Sequence, residues 1–399
     1  MSVRRSKRLG LLAAAAAILL APIVPAAAQE PVADSSAPGA IHWSREAVRD
    51  LIGVVEESRR EGLHPADYDL AALKRAAAEG EGAALDTLAT TSALRLAHDY
   101  YFGRMTDRSD MQWLIERSPY EAVQLSGRLQ SAIDDDALPT FFQALLPSDP
   151  RYAALRDALA DAKAGPMRDK LRVNMERWRW MPRSIADNYL YVNVPSYQLR
   201  VFGGGVQLSA YDVVVGAKDT PTPQMVSPTA SLVVNPAWYV PASIARKSGL
   251  RAGRGGYVGR QLADGSWIVV QPPGPHNALG RIKFNLDNDQ AIYLHDTNAK
   301  SAFNRDDRAL SHGCVRVKDI DQLATELMEQ GGDDAALEEA LAGKGTETLD
   351  LPQTWPVYIV YFTADADEAG NIVTYDDPYG YDARVLAALD GKPVEIASN

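Results

Sequence analysis

Two periodicities divide the chain. From Ser44 to about Ala164, apolar residues recur at helical spacing. In "SREAVRDLIGVVEESRREG", Val48, Leu51, Ile52 and Val55 share one face and the charged residues the other. Ser44, followed by Glu46 and Ala47, reads as the start of this helix and Gly62 as its stop. "SALRLAHDYYFGRM" and "RYAALRDALADAKAG" repeat the pattern, so a helical scaffold domain is expected over 44–180. Near Asn188 the period changes. "NYLYVNVPSYQLRVFGGGVQLSAYDVVVG" alternates, with β-branched and aromatic residues, and Gly203-Gly204-Gly205 predicts a hairpin turn. "SLVVNP", "SWIVVQ", "AIYLHDT" and "PVYIVYFTA" are further strands, with a helix over about 319–331 before the last. Helices first and strands second predict an α+β multidomain chain, its mainly β domain over 185–365 and a C-terminal extension over 366–399.

Two segments fall outside both patterns. Arg4, Arg5, Lys7 and Arg8 precede an apolar run, Leu9 to Val24, that ends in Ala26-Ala27-Ala28. This is the layout of a cleavable signal peptide over 1–28, followed by a linker over 29–43, and it implies a periplasmic protein. Arg246 to Pro275 is rich in glycine and arginine and lacks the G-K-[ST] of a phosphate loop, so it reads as a mobile lid inserted in the β domain.

Composition narrows the chemistry. The formal net charge is −11, and it becomes more acidic when 1–28 and its four basic residues are removed. With no basic stripe, nucleic acid is a poor partner. Cys314 is the only cysteine in 399 residues and lies in "ALSHGCVRVKD". One thiol in an exported chain pairs with another chain, packs as an apolar side chain or reacts. A reactive thiol needs a base or a cation nearby, because a free cysteine titrates near pH 8.5. His295, nineteen residues earlier at the end of "IYLHDT", is the candidate base, with Asp296 or a backbone carbonyl to orient it. Gly313 permits close backbone approach, and amides near Gly313 and Cys314 are candidate oxyanion donors. Arg316, two residues on, suits a carboxylate. A zinc site of His295, Asp296, His312 and Cys314 has the right atoms without paired-ligand spacing. Trp238, Tyr239 and Trp267 are core aromatics by default, and His64 and His98 have no partner at ligand spacing.

"HDT…SHGCVRV", with fifteen residues between His295 and Ser311, resembles the signature of the YkuD-type L,D-transpeptidases. "MERWRWMP", "VNVPSYQLRVF", "NPAWYVPASIARK", "LGRIKFN" and "IYLHDT" resemble the long, YcbB-like branch, densely over 171–331. "EGLHPADYDL" and "YYFGRM" extend the likeness weakly into the helical part. The resemblance implies a β-sandwich-like catalytic domain, a helical scaffold and a capping insertion. It makes Cys314 the nucleophile and His295 the base, with His312 and Gly313 also catalytic-motif positions. Ser311, Arg316, Trp238 and Tyr239 become substrate-binding. The implied reaction takes peptidoglycan stem peptides and needs no cofactor or metal. The thiolate attacks the carbonyl of the third-position diaminopimelate, releases D-Ala, and passes the acyl group to a second diaminopimelate amine as a 3–3 cross-link. Water or a protein lysine is an alternative acceptor. Other cell-wall enzymes and an outer-membrane protein acceptor are further candidate partners, and a non-catalytic wall-binding scaffold is the competing class. The insertion is short for the branch, and the stretch before "MERWRW" leaves no room for a separate peptidoglycan-binding module.

Overall fold

Ser44 caps the first helix, its Oγ accepting the Ala47 N–H at 3.2 Å. In the computed structural model, which describes residues 41–117, 124–332 and 334–392, that helix runs Arg45–Glu57 and buries Ala47, Val48, Leu51 and Val55. The signal peptide over 1–28, and nearly all of the 29–43 linker, lie outside the described residues. The helix ends before Gly62, because Ser58 Oγ donates to the Val55 carbonyl at 2.7 Å and so competes with the helical ladder. Gly62, at φ +75°, then reverses the chain. Helices Leu70–Glu79, Ala83–Phe102, Leu125–Asp134, Leu138–Ala144 and Pro150–Asp161 complete the helical part around Leu51, Val55, Leu96, Leu129 and Phe142.

The next helix, Pro166–Trp180, carries the "MERWRW" run and is not amphipathic: every residue from Leu171 to Trp180 is buried. Its position between the helical and β parts explains this. Buried charge is costly unless paired, and each charge here is paired. Glu176 meets Arg179 at 2.9 Å with both side chains fully buried. Arg177 meets Asp382 at 2.7 Å, and Arg172 meets Asp390 at 2.9 Å. The last two partners bring the C-terminal residues, including helix Asp382–Leu389, back onto this helix.

The β part consists of β1 (Tyr189–Asn193), β2 (Gln198–Gly203), β3 (Val206–Gly216), β4 (Met225–Val234), β5 (Trp238–Val240), β6 (Val258–Gln261), β7 (Trp267–Gln271), β8 (Ile282–Asn285), β9 (Leu294–His295), β10 (Ala309–Ser311), β11 (Val315–Val317), β12 (Glu347–Val360), β13 (Ala364–Ala366) and β14 (Ile372–Thr374). The large sheet runs β10-β3-β11-β9-β8-β4-β12-β1-β2, and β2 also pairs with β3. The hydrogen bonding therefore closes into a ring, which leaves few open edges. The long β3 makes the closure: it pairs with β2 over Val206–Asp212 and with β11 at Val213 and Val214. Leu190, Val192, Val213, Val215, Leu232, Phe284, Leu294, Val315 and Val357 fill the centre. The expected β-sandwich-like domain is present, with its faces joined. The expected glycine hairpin is also present: Gly203 pairs with Val206 across Gly204 (φ +59°) and Gly205 (φ +80°), the signs of a type I′ turn.

The insertion, expected as a lid over 246–275, contains regular structure. β5, β7 and β6 form a separate three-stranded sheet, and helix Ala242–Lys247 leads out of β5. "SWIVVQ" is a strand of this small sheet and not of the large one. The cap begins at Trp238, earlier than Arg246. Its positive-φ glycines, Gly249, Gly253, Gly255, Gly256 and Gly265, lie between strands, so they shape turns and leave the ladder intact.

Candidate active site

The cysteine turn joins β10 to β11 and is built by its neighbours. Gly313 has φ +119°, a conformation that L-residues with a side chain rarely adopt. Ser311 Oγ accepts the Gly313 N–H at 3.1 Å and donates to the Cys314 carbonyl at 2.6 Å. Ser311 is buried, and both of its side-chain bonds are internal. Ser311, expected at the substrate, staples the turn that presents the thiol. It also removes the Gly313 amide from the candidate oxyanion donors. Behind the turn, Thr222 Oγ1 donates to the Gly313 carbonyl at 2.7 Å. Tyr379 holds Thr222 in turn, accepting its N–H at 3.1 Å and donating to the Gly216 carbonyl at 2.7 Å.

Strand alternation explains the rest. β8, β9 and β11 are neighbours, with Lys283 opposite His295 and Arg316 also opposite His295. One face points Ile282, Phe284, Leu294, Val315 and Val317 into the core, none of them exposed. The alternate positions Lys283, His295 and Arg316 then share the other face. Tyr293 and Cys314, two residues before His295 and Arg316, continue it. A cleft of about 630 Å³ opens there, lined by Cys314, His295, Ser311, His312 and Arg316 on the sheet side. Trp238, Tyr239, Ile244, Leu250 and Tyr257 line it from the cap. Seven of the eight site residues expected from sequence thus face one cavity, and Gly313 shapes the turn beneath it.

The electrostatics are those of a dry, cationic site. Burial pushes the Cys314 thiol up, while Tyr293, through backbone and hydroxyl, and the Lys283 and Arg316 charges pull it down. Burial pushes His295 down to about 3, and Arg316 and Lys283 add to the effect against the backbone of Asp296. The imidazole is therefore neutral across the physiological range, as a proton acceptor must be. Its Nδ1 is buried without a hydrogen-bond partner. The Asp296 carboxylate does not orient it: Asp296 accepts the Arg281 N–H at 2.8 Å and is ion-paired to Lys300. Arg316 has a buried Nε with no partner and no carboxylate beside it, so its charge is free for a substrate. Trp238, on the cap, and Tyr293, beside the thiol, line the same cleft. The Tyr239 hydroxyl is engaged by Arg260, whose guanidinium lies 5.4 Å from the ring. His312 is exposed at the mouth of the cleft, near Asp219. Among the described residues, no group of three or more His, Cys, Asp or Glu is arranged to hold a metal ion.

Residues 187–383 match the family described as the L,D-transpeptidase catalytic domain (YkuD), and residues 39–159 match the family described as a Scaffold domain. Residues 187–383 belong to the YkuD-type L,D-transpeptidase catalytic-domain family. A protein of Haemophilus influenzae (strain Rd), provisionally named an L,D-transpeptidase, is 32% identical over 323 residues. That match covers 73% of this chain and 65% of the relative, so the chain spans slightly less than two thirds of the relative's length. Among solved structures, an L,D-transpeptidase from Mycobacterium smegmatis is 13% identical, covers 44% of this chain and 58% of its own, and has a TM-score of 0.26. The ertapenem-acylated catalytic domain of the Enterococcus faecium L,D-transpeptidase is 15% identical, covers 44% of this chain and 98% of its own, and has a TM-score of 0.21.

Two side chains of the cleft escaped the sequence reading. Tyr293 lines the cleft with Cys314 and favours its thiolate, and Lys283 lies with its Nζ 4.6 Å from the centre of the Tyr293 ring. A signal for the first was present: Tyr293 stands two positions before His295 in a strand, hence on its face. Lys283 carried no such signal, because only the pairing of β8 with β9 brings it to the site.

Proposed function

We propose that the chain is a peptidoglycan L,D-transpeptidase in which Cys314 carries the acyl group. The observation that carries the reading is the setting of the thiol: a half-buried sole cysteine in a cleft with a neutral imidazole and the unpaired Arg316 guanidinium. His295 takes the thiol proton as sulfur attacks the carbonyl of third-position diaminopimelate in a tetrapeptide stem. The Cys314 N–H, which has no protein acceptor among the described residues, faces the developing oxyanion. The C–N bond to D-Ala breaks, the imidazolium returns its proton to the leaving amine, and a thioester remains. The side-chain amine of a second diaminopimelate then attacks the thioester, and expulsion of the sulfur leaves a 3–3 cross-link. Arg316 pairs with the free carboxylate of D-Ala, and Trp238 and Tyr239 wall the cleft. The signal-peptide layout of 1–28 supports action in the periplasm on the wall.

The test is incubation of the protein with purified disaccharide-tetrapeptide, with products weighed by mass spectrometry. A 3–3 dimer with one released D-Ala per cross-link is expected, lost in Cys314→Ala. Release of D-Ala without dimer assigns hydrolysis, and an unconsumed stem rejects the reading. A carbapenem should add one acyl mass to the wild type and none to Cys314→Ala.

A further inference from the structure

A loop joins β8 to β9, and its Gln290, Ala291 and Ile292 line the cleft that holds Cys314. One side chain organises this loop. Asn288 Oδ1 accepts the Gln290 N–H at 3.0 Å and the Ile292 N–H at 3.1 Å. Asn288 Nδ2 donates to the Leu286 carbonyl at 3.1 Å and to the Ile292 carbonyl at 2.9 Å. Both amide protons and both oxygen lone pairs are then in use. A flipped amide would set N–H against N–H, so the partners fix its orientation.

Ala291 lies between the clamped residues at φ +53°. The left-handed region is unfavourable for a residue with a Cβ, so the bonds on either side hold it there. Its carbonyl accepts from Cys314 Sγ at 3.5 Å. Among the described residues no backbone N–H donates to this carbonyl. A hydrogen bond made by the neutral form of an acid disfavours its ionisation. The other groups around the sulfur are held independently of Asn288. Tyr293 and His295 belong to the β9 segment, Lys283 to β8 and Arg316 to β11, and strand pairing fixes them. His312 flanks the thiol, and Tyr239, Lys247 and Tyr257 face the cleft from the cap. Asp287 and Asp289, although in the loop, do not line the cleft.

We propose that Asn288 is a positioning residue for the resting site: it locks the loop so that the Ala291 carbonyl holds the Cys314 proton. The thiol then rests neutral, and its sulfur must turn off this carbonyl before His295 takes the proton. That onward transfer rests on the proposed transpeptidase reading, whereas the resting protonation does not.

The experiment is iodoacetamide alkylation of the full chain against pH, followed by intact mass, which reads the thiol without substrate or turnover. Asn288→Ala releases the loop, and the profile should move down by about 0.5–1 unit. Ala291→Val should move it the same way, because a β-branched side chain resists positive φ. Ala291→Gly adopts that conformation freely and should keep the wild-type profile. Circular dichroism establishes which variants are folded. A loop that serves folding alone would lower the melting temperature and leave the alkylation profile in place. An unmoved or raised profile in folded Asn288→Ala therefore overturns the proposal. So does an Ala291→Gly profile shifted as far as that of Ala291→Val. If Asn288→Ala does not fold, the two Ala291 variants decide, and equal profiles overturn the proposal. A wild-type protein that consumes no stem counts against the transpeptidase reading and leaves these profiles as the test of Asn288.

Discussion

At the scale of single residues, the thiol is balanced between burial, which keeps it protonated, and two cations with a tyrosine hydroxyl, which favour the thiolate. Lys283 has no carboxylate to neutralise it and reaches the sulfur through the Tyr293 ring. Removing it in Lys283→Met raises the thiol pKa. The pH profile of iodoacetamide alkylation should then move upward by about one unit, equivalent to roughly 1.4 kcal/mol. Lys283→Arg should restore most of it. An unmoved profile in folded Lys283→Met would show that the ammonium does not act on the sulfur. His295 makes a prediction with the opposite sign. Its folded pKa, about 3, lies below that of a free imidazole. The unfolded chain binds the extra proton, so stability from this group is present above about pH 6.5 and is lost as pH falls toward 3. Urea titrations should show that loss in the wild type and a flatter profile in His295→Asn. Turnover in that variant should fall by roughly 10²–10⁴-fold.

Among elements, the small cap sheet shares no strand with the large one. Its residues form one wall of the cleft, while the ring supplies Cys314, His295 and Arg316. Replacing 250–262 with a short Gly-Ser linker removes β6 and most of the cap's arginines. The ring should survive, with a melting temperature within a few degrees of wild type, and kcat/KM should drop at least tenfold. Wild-type kinetics in that variant would reduce the cap to a surface ornament. The cap also marks a limit of sequence reading. "SWIVVQ" announced a strand through its alternation, but nothing local said which sheet it joins. Partner choice depends on β5 and β6, which lie before and after a glycine-rich stretch.

Across the whole molecule, the C-terminal residues are part of the catalytic domain's construction. Tyr379 bridges Gly216 and Thr222, and Thr222 holds the carbonyl of Gly313 next to Cys314. Asp382 and Asp390 anchor the same segment to the helix Pro166–Trp180. Tyr379→Phe leaves two buried polar groups without partners, which costs about 1–3 kcal/mol each. It should lower stability by that order and slow acylation several-fold without changing the binding of a bare tetrapeptide. If acylation is unchanged while stability falls, the brace serves folding only.

The sequence by itself determined the order of parts, the helical and β periods, the glycine hairpin, and the cluster Cys314, His295 and Arg316. These are carried by local spacing, and an alternating strand assigns its own faces. Tertiary structure alone decided which residues meet across strands. Pairing of β8 with β9 put Lys283 opposite His295, and pairing of β9 with β11 brought Tyr293 close to the sulfur. Ser311 was legible as a motif position, but its role was not. Its hydroxyl was free to face a substrate until the fold of the turn directed both of its bonds inward, to Gly313 and Cys314. Asp296 likewise stood next to His295 in the chain, yet strand alternation turns neighbouring side chains to opposite sides, and its carboxylate went to Arg281 and Lys300.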